Sequence, residues 1–261
     1  MIGGGPAGGR SADGLPSPSS PPAPPSPTSI GGAIRAAGRE GYYHSWRLVP
    51  ANLVWSVVAI AVAALVLVTP VAIVLVPLAA LPTAGLFRVT TRIVRGQAVS
   101  FWDSIDAWRT DPIATLAIGA GFAAAAVVLG FNVVSGLTSD SPLGWGLATL
   151  ATWGLLAAWL LAWTVWPILV DPARAERPVA DRLRLAGLLV LAHPIRLGLL
   201  GLVLGLFLAV STLAVVALVT VSVAFSALVA TELVLPAADR LEARLGARVD
   251  LLPAPVERSL S

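Results

Sequence analysis

The chain opens with Gly3-Gly4-Gly5-Pro6-Ala7-Gly8, a G-x-G-x-x-G spacing of the kind that lets a backbone approach a pyrophosphate at a helix N-terminus. That chemistry needs a strand before the glycines, a helix after them and an acid about twenty residues on. Met1 and Ile2 alone precede the glycines, Pro and Ser follow, and the downstream acid is missing, so no cofactor is expected. Three arginines, Arg88, Arg92 and Arg95, stand at i, i+4 and i+7 and share one face of a helix. Such a face can hold an anionic lipid headgroup, a phosphate or a partner's acidic surface; the plainer reading is anchoring at a membrane interface by snorkelling side chains. Trp102 and Asp103 complete this candidate partner or lipid contact, with Asp103 placed to cap a short interfacial helix and Asp106 one turn from Arg109.

Within apolar tracts stand three polar candidates, Asn52, Asn132 and Glu232. An ionisable group at membrane depth is a candidate for proton or cation coupling. Glu232, however, lies about one turn from the end of its tract, within reach of water or Arg240. The two asparagines can cross-link helices by hydrogen bonding. Gly198, Gly201 and Gly205 form a small-residue stripe that includes a G-x-x-x-G step, and Gly119, Ala123, Ala126 and Gly130 give a similar surface. Packing within the chain is the expected use of both, with self-association as the alternative. His44 and His193 lack ligand-type partners one turn away, and the chain has no Cys, so neither a metal site nor thiol chemistry is expected. Nowhere do a nucleophile, a base and an orienting group come together, which argues against an enzyme.

The elements that hold these residues follow from composition. Of 261 residues 57% are hydrophobic and 12% charged, and the mean hydropathy is +0.85, values that do not fit a water-exposed surface. Residues 48–87 and 197–236 are apolar tracts of about 60 Å each if helical, against a hydrocarbon core of roughly 30 Å, so each must cross twice. Thr69-Pro70 marks the tip of the first hairpin, and Pro77 and Pro82 bend the returning helix. Carbonyls freed at those bends need partners, so this second crossing is expected inside the bundle. Asp111-Pro112 reads as N-cap and first helical position of a third crossing ending near Ser139. Ser141 to Val170 is the fourth, Asp171-Pro172 repeats the capping signal, and residues 183–192 are apolar enough to lie among headgroups. The last hairpin turns near residues 211–216.

The fold class is therefore all-α, a multi-pass helical membrane bundle of six transmembrane helices. Its domains are a disordered Gly/Pro/Ser-rich tail over residues 1–40, the six-helix domain over 41–236 and a polar tail over 237–261 holding a short amphipathic helix. All seventeen cationic side chains are Arg, and all fall in the N-terminal segment, the two long connectors or the C-terminal tail, with none in the loops around Pro70, Asp140 and Ser211. Retention of arginine on the cytoplasmic side puts both termini inside. Trp102, Trp108, Trp163 and Trp166 are expected at the inner interface and Trp145 at the outer one. The scattered arginines answer to topology, so nucleic acid is not an expected partner despite the +3 net charge.

Asn52-Leu53-Val54-Trp55, Pro70, Pro82-Thr83-Ala84, Arg92-Ile93-Val94-Arg95-Gly96 and Phe101-Trp102-Asp103 resemble the YesL-like family of bacterial integral membrane proteins of unknown function. The resemblance covers residues 50–112. It implies a small all-helical multi-pass protein of the bacterial inner membrane, often encoded near carbohydrate uptake and breakdown genes, with no established reaction. The leading expectation is an accessory or regulatory component of a membrane transport system, in contact with lipid and with another membrane transport protein through the basic connectors. The alternative is an autonomous small-solute transporter or channel lined by Pro77, Pro82, Asn52, Asn132 and Glu232.

Overall fold

The computed structural model describes residues 29–214 and 217–250, and these are all-α. Nine α-helices follow one another among the described residues: α1 Ile30–Tyr43, α2 Ser45–Val68, α3 Ala80–Val94, α4 Trp102–Thr110, α5 Pro112–Leu137, α6 Pro142–Leu169, α7 Val179–Ala192, α8 Pro194–Leu213 and α9 Val223–Asp250. A 3₁₀ stretch, Pro70–Ala79, leads into α3, and a π-helical turn, Leu218–Ser222, leads into α9. Six segments are long and apolar enough to cross a membrane: Ser45–Val68, Pro70–Val94, Pro112–Leu137, Pro142–Leu169, Pro194–Leu213 and Val219–Ala247. The multi-pass bundle read from hydropathy is thus the fold, with the first hairpin tip at Thr69, an extended residue (φ −138°, ψ 97°).

The core forms around α9. Its most apolar window is 78% buried, against 6% for α5 and 17% for α2, so the last crossing is the central post and the others surround it. Ala224, Ala227, Ala230 and Ala238 put little more than a methyl group on that post, which lets α1 and α3 approach closely. Leu228, Leu233 and Val234 of α9 meet Leu86 and Val89 of α3, Ile168 of α6, Leu189 of α7 and Leu200 and Leu204 of α8 in one cluster.

Several boundaries differ from expectation. The tail expected to be disordered through residue 40 gives way to α1 at Ile30, because Ser29 caps it (Gly32 N donates to Ser29 Oγ, 3.1 Å) and Ala33 and Ala37 are fully buried. The glycine motif at residues 3–8 lies outside the described residues. At the other end, among the described residues of the expected tail, no separate amphipathic helix forms: α9 runs on past Pro236 to Asp250, since its continuing face carries carboxylates that α3 and the α6–α7 connector bind. The second crossing is buried only in part. None of Pro70–Ala79 is buried, whereas most of α3 is, and the freed backbone is met locally: Thr83 Oγ1 donates to Ala79 O (2.7 Å). Residues 183–192 do not simply lie on the surface, because Leu185, Ala186 and Leu189 face the core. Asp111 precedes α5 with Pro112 at its first position, yet its side chain makes no capping bond.

Candidate functional site

The polar side chains that the sequence offered singly are gathered by the fold into one charge network at the end of the bundle where α3, α6 and α9 meet. α3 ends in a Schellman turn: Gln97 N donates to Arg92 O (2.9 Å) around Gly96, whose φ of +65° suits a residue without Cβ. That turn leaves Arg95 as the helix C-cap, with its guanidinium forked between two carboxylates. Nη2 donates to Asp171 Oδ2 (2.6 Å) and Nη1 to Asp239 Oδ2 (2.7 Å). Asp171 is wholly buried; it also binds the Arg174 guanidinium and accepts from Ala173 N (3.1 Å), which forms a three-residue 3₁₀ turn after α6. Arg174, 2% exposed, reaches on to Asp239 Oδ1 (2.5 Å) and Glu242 Oε1 (3.0 Å) of α9, and the exposed Arg177 closes the set on Glu242 (2.6 Å).

Three arginines thus face three carboxylates, and the network is formally neutral. Its electrostatics follow from that balance. Its hydrogen bonds to the Asp239 carboxylate, joined by those to Asp171, hold the Arg95 guanidinium above its ordinary value despite the opposing effect of burial. For Arg174 burial pulls the value down, and Glu242, Asp171 and Asp239 together push it higher than burial lowers it. Each charge faces an opposite one, and the arrangement clamps α3 and the segment after α6 to α9.

Beside it, two more arginines serve the C-terminus of α6. Arg88 Nη1 donates to Val170 O (2.8 Å) and the buried Arg182 Nη1 to Leu169 O (2.5 Å), so cations meet the last carbonyls where the helix dipole is negative. Arg182 Nη2 lies 3.5 Å from Asp111 Oδ2. Arg92 pairs with Asp103 (2.6 Å), and Asp103 accepts from Ser100 N (2.7 Å), tying down the start of α4.

Arg88, Arg92 and Arg95, expected to form one outward contact, are each half-buried and each bonded to a group of the protein itself. Trp102 is the most exposed of the set, at 66%. Asp106 and Arg109 make no ion pair among the described residues. Of the tryptophans expected at the interfaces, Trp163 and Trp166 pack against the core, at 8% and 7% exposure, while Trp145 is exposed.

Asn52 is fully buried and clamps the π turn: Nδ2 donates to Val219 O (2.6 Å) and Oδ1 accepts from Ala224 N (2.8 Å), with Ser56 Oγ also on Val219 O (3.2 Å). A π turn leaves backbone groups out of the regular helical ladder, and one amide side chain supplies both a donor and an acceptor for them. Asn132 is half-buried on α5. Glu232 is half-buried and electrostatically close to Glu40 and Arg39 of α1 rather than to Arg240, whose Nε donates to Pro236 O (2.9 Å). Of the glycine stripe, Gly201 packs inward: Trp159 Nε1 donates to its carbonyl (3.1 Å), and an added Cβ would meet Leu160 Cδ2 at 2.3 Å. Gly205 only touches Trp159, and a Cβ on Gly198 would meet nothing within 4 Å.

Asp171 was read from the sequence only as a helix cap, and Arg174, Arg182, Asp239 and Glu242 were not singled out as site residues. The available signal was Asp239 and Glu242 at i, i+3 opposite two arginine-rich connectors. Charge alone could not say which arginine each would meet. Comparison of the chain with protein-family models, with curated proteins and with solved structures finds no match.

Proposed function

We propose that this chain is an accessory or regulatory component of a membrane transport system in a bacterial inner membrane, with both ends of the chain on the cytoplasmic side. Carbohydrate uptake is the system to which the resemblance over residues 50–112 points. The observation that carries the reading is how the interior spends its polar groups. Asn52 and Ser56 bind the backbone of the π turn, Thr90 bonds Thr231 (3.0 Å), and Thr91 and Thr164 donate to carbonyls one turn back in their own helices. A permeation path needs polar groups turned toward a passing solute, and these are turned toward protein. The clamp of Arg95, Asp171, Arg174, Asp239 and Glu242 ties three helices together at one end, which supports a rigid scaffold over a pair of rocking halves.

With Arg88, Arg92 and Arg95 each bonded to the protein itself, the more open surface for a partner is Trp102 on α4 and the apolar faces of α2 and α5. Affinity purification in mild detergent after cross-linking of native membranes tests the reading, together with solute flux into vesicles holding the purified protein. Recovery of a transport protein, diminished by Trp102→Ala, supports it. Saturable sugar flux by the protein alone that is lost in Glu232→Gln or Asn132→Leu refutes it in favour of autonomous transport.

A further inference from the structure

α1 and α2 meet at a single residue. His44 (φ −106°, ψ 12°) closes α1 with its N–H, which donates to Glu40 O (2.9 Å), and opens α2 with its carbonyl, which accepts from Arg47 N (2.9 Å) and Leu48 N (3.0 Å). The backbone thus runs almost unbroken through the joint, and the ring hangs between one charged residue of each helix. On the α2 side Arg47 Nη1 lies 3.1 Å from Nδ1. On the α1 side Glu40 Oε2 lies 3.7 Å from Nε2, with the His44 and Glu40 side chains each 26% exposed.

A guanidinium carries donors only, so the ring nitrogen that faces Arg47 is the bare acceptor and the ring proton sits on Nε2, toward Glu40. Protonation undoes this arrangement. A second proton, on Nδ1, turns the acceptor into a donor and sets two cations against each other across 3.1 Å, while the same charge attracts Glu40 on the other side. Imidazole is the side chain whose charge ordinarily changes across the physiological range. Arg47 makes no ion pair among the described residues, and its other contact is the Trp46 ring, whose centroid lies 4.3 Å from its Cζ. The remaining charges around the joint are accounted for. Arg39 pairs with Glu40 (3.2 Å), and α9, against which α1 packs, brings Glu232 close to both. Farther along α9, Asp239 and Glu242 belong to the clamp and Arg240 donates to Pro236 O.

We infer that His44 is a pH-sensitive switch in the joint between α1 and α2. Neutral, it accepts from Arg47 of α2; protonated by water, it gives up Arg47 and directs its charge at Glu40 of α1. The start of the first crossing then carries two adjacent cations where the neutral ring left one. The inference is independent of the accessory role proposed above.

The test uses the full-length protein in lipid nanodiscs. The chain holds two histidines, so His193→Gln leaves His44 as the one ring that ¹⁵N labelling of histidine reports. At about pH 8 the ring proton is expected on Nε2 with Nδ1 bare, and at about pH 5 on both nitrogens. Trp46 is 64% exposed, and its emission, taken as the difference from the Trp46→Phe protein, is expected to change in step with that protonation. The step should be lost in Arg47→Met, which keeps an apolar stem and removes the guanidinium. Should that variant misfold, His44→Gln retains an acceptor for Arg47 that does not titrate, and the step should be lost there as well. A ring proton on Nδ1 at the higher pH, Trp46 emission unchanged while the ring is protonated, or a step retained in folded Arg47→Met or His44→Gln protein would each overturn the inference.

Discussion

Asp171→Ala is the most informative single change to the clamp. Asp171 has no exposed surface and touches two guanidinium groups, one of them, Arg174, itself 2% exposed. At an effective dielectric of about 20, its 2.6 Å contact with Arg95 amounts to roughly 6 kcal/mol of attraction, most of it offset by desolvation of both ions. The cost of deletion is set by what is left behind. Arg174 would keep Asp239 and Glu242 but lose the carboxylate nearest its buried Nη1, and the 3₁₀ turn would lose its cap on Ala173. Breaking a buried pair in this way costs about 3–5 kcal/mol. Arg177→Ala at the rim of the same network, where the side chain is 52% exposed, should cost under about 1 kcal/mol. Equilibrium unfolding in mixed micelles with increasing SDS, followed by tryptophan fluorescence, measures both. A double cycle with Arg95→Met isolates the direct term, because removing both partners should cost less than removing Asp171 alone. Losses below about 1 kcal/mol for Asp171→Ala, equal to those for Arg177→Ala, would refute the clamp.

The other predictions rest on separate contacts. Asn52→Leu should destabilise the protein by about 2–4 kcal/mol in the same unfolding assay, since it strands the buried Ala224 N–H and takes the Asn52 amide from Val219 O. Gly85→Ala and Gly136→Ala should each cost about 1–3 kcal/mol, because an added Cβ would lie 2.4 Å from the backbone oxygens of Ser104 and Gly144. Gly198→Ala, with nothing within 4 Å, should be neutral or stabilising by up to about 1 kcal/mol through helix propensity. In intact cells, a cysteine at Asp140→Cys should react with an impermeant thiol reagent, and one at Gly246→Cys should react only after permeabilisation; the reverse pattern would invert the proposed orientation. The native chain's lack of Cys makes both readouts clean.

How much of this was legible beforehand can be followed residue by residue. Thr69-Pro70 marked the hairpin tip because proline punishes a helix locally, whatever surrounds it. The same local logic failed at Pro236, where α9 continues: a proline inside a well-packed helix loses one hydrogen bond, and burial of α9 on several sides outweighs it. Asp111 and Asp171 both precede Pro and read alike as caps, yet one faces Arg182 and the other is the hub of a buried network. Arg88, Arg92 and Arg95 do share a helix face, as their spacing requires. Which side of that face is protein and which is solvent is not a property of spacing.

The sequence by itself determined the class of solvent, the number of crossings and the end at which arginine collects, because these depend on quantities summed along the chain: hydropathy over some twenty residues, helix rise against bilayer thickness, and counts of charge between apolar tracts. Only the tertiary structure decided that α9 is the central post, that Asn52 repairs a π turn 167 residues away, and that Arg95 and Arg174 share Asp171 and Asp239. Those facts are pairwise and long-range. Within a bilayer every helix face is apolar enough to meet lipid or protein equally well, so hydrophobicity cannot choose the neighbour. The choice falls to the close fit of small residues and to a few buried polar groups whose partners exist at one place in the fold.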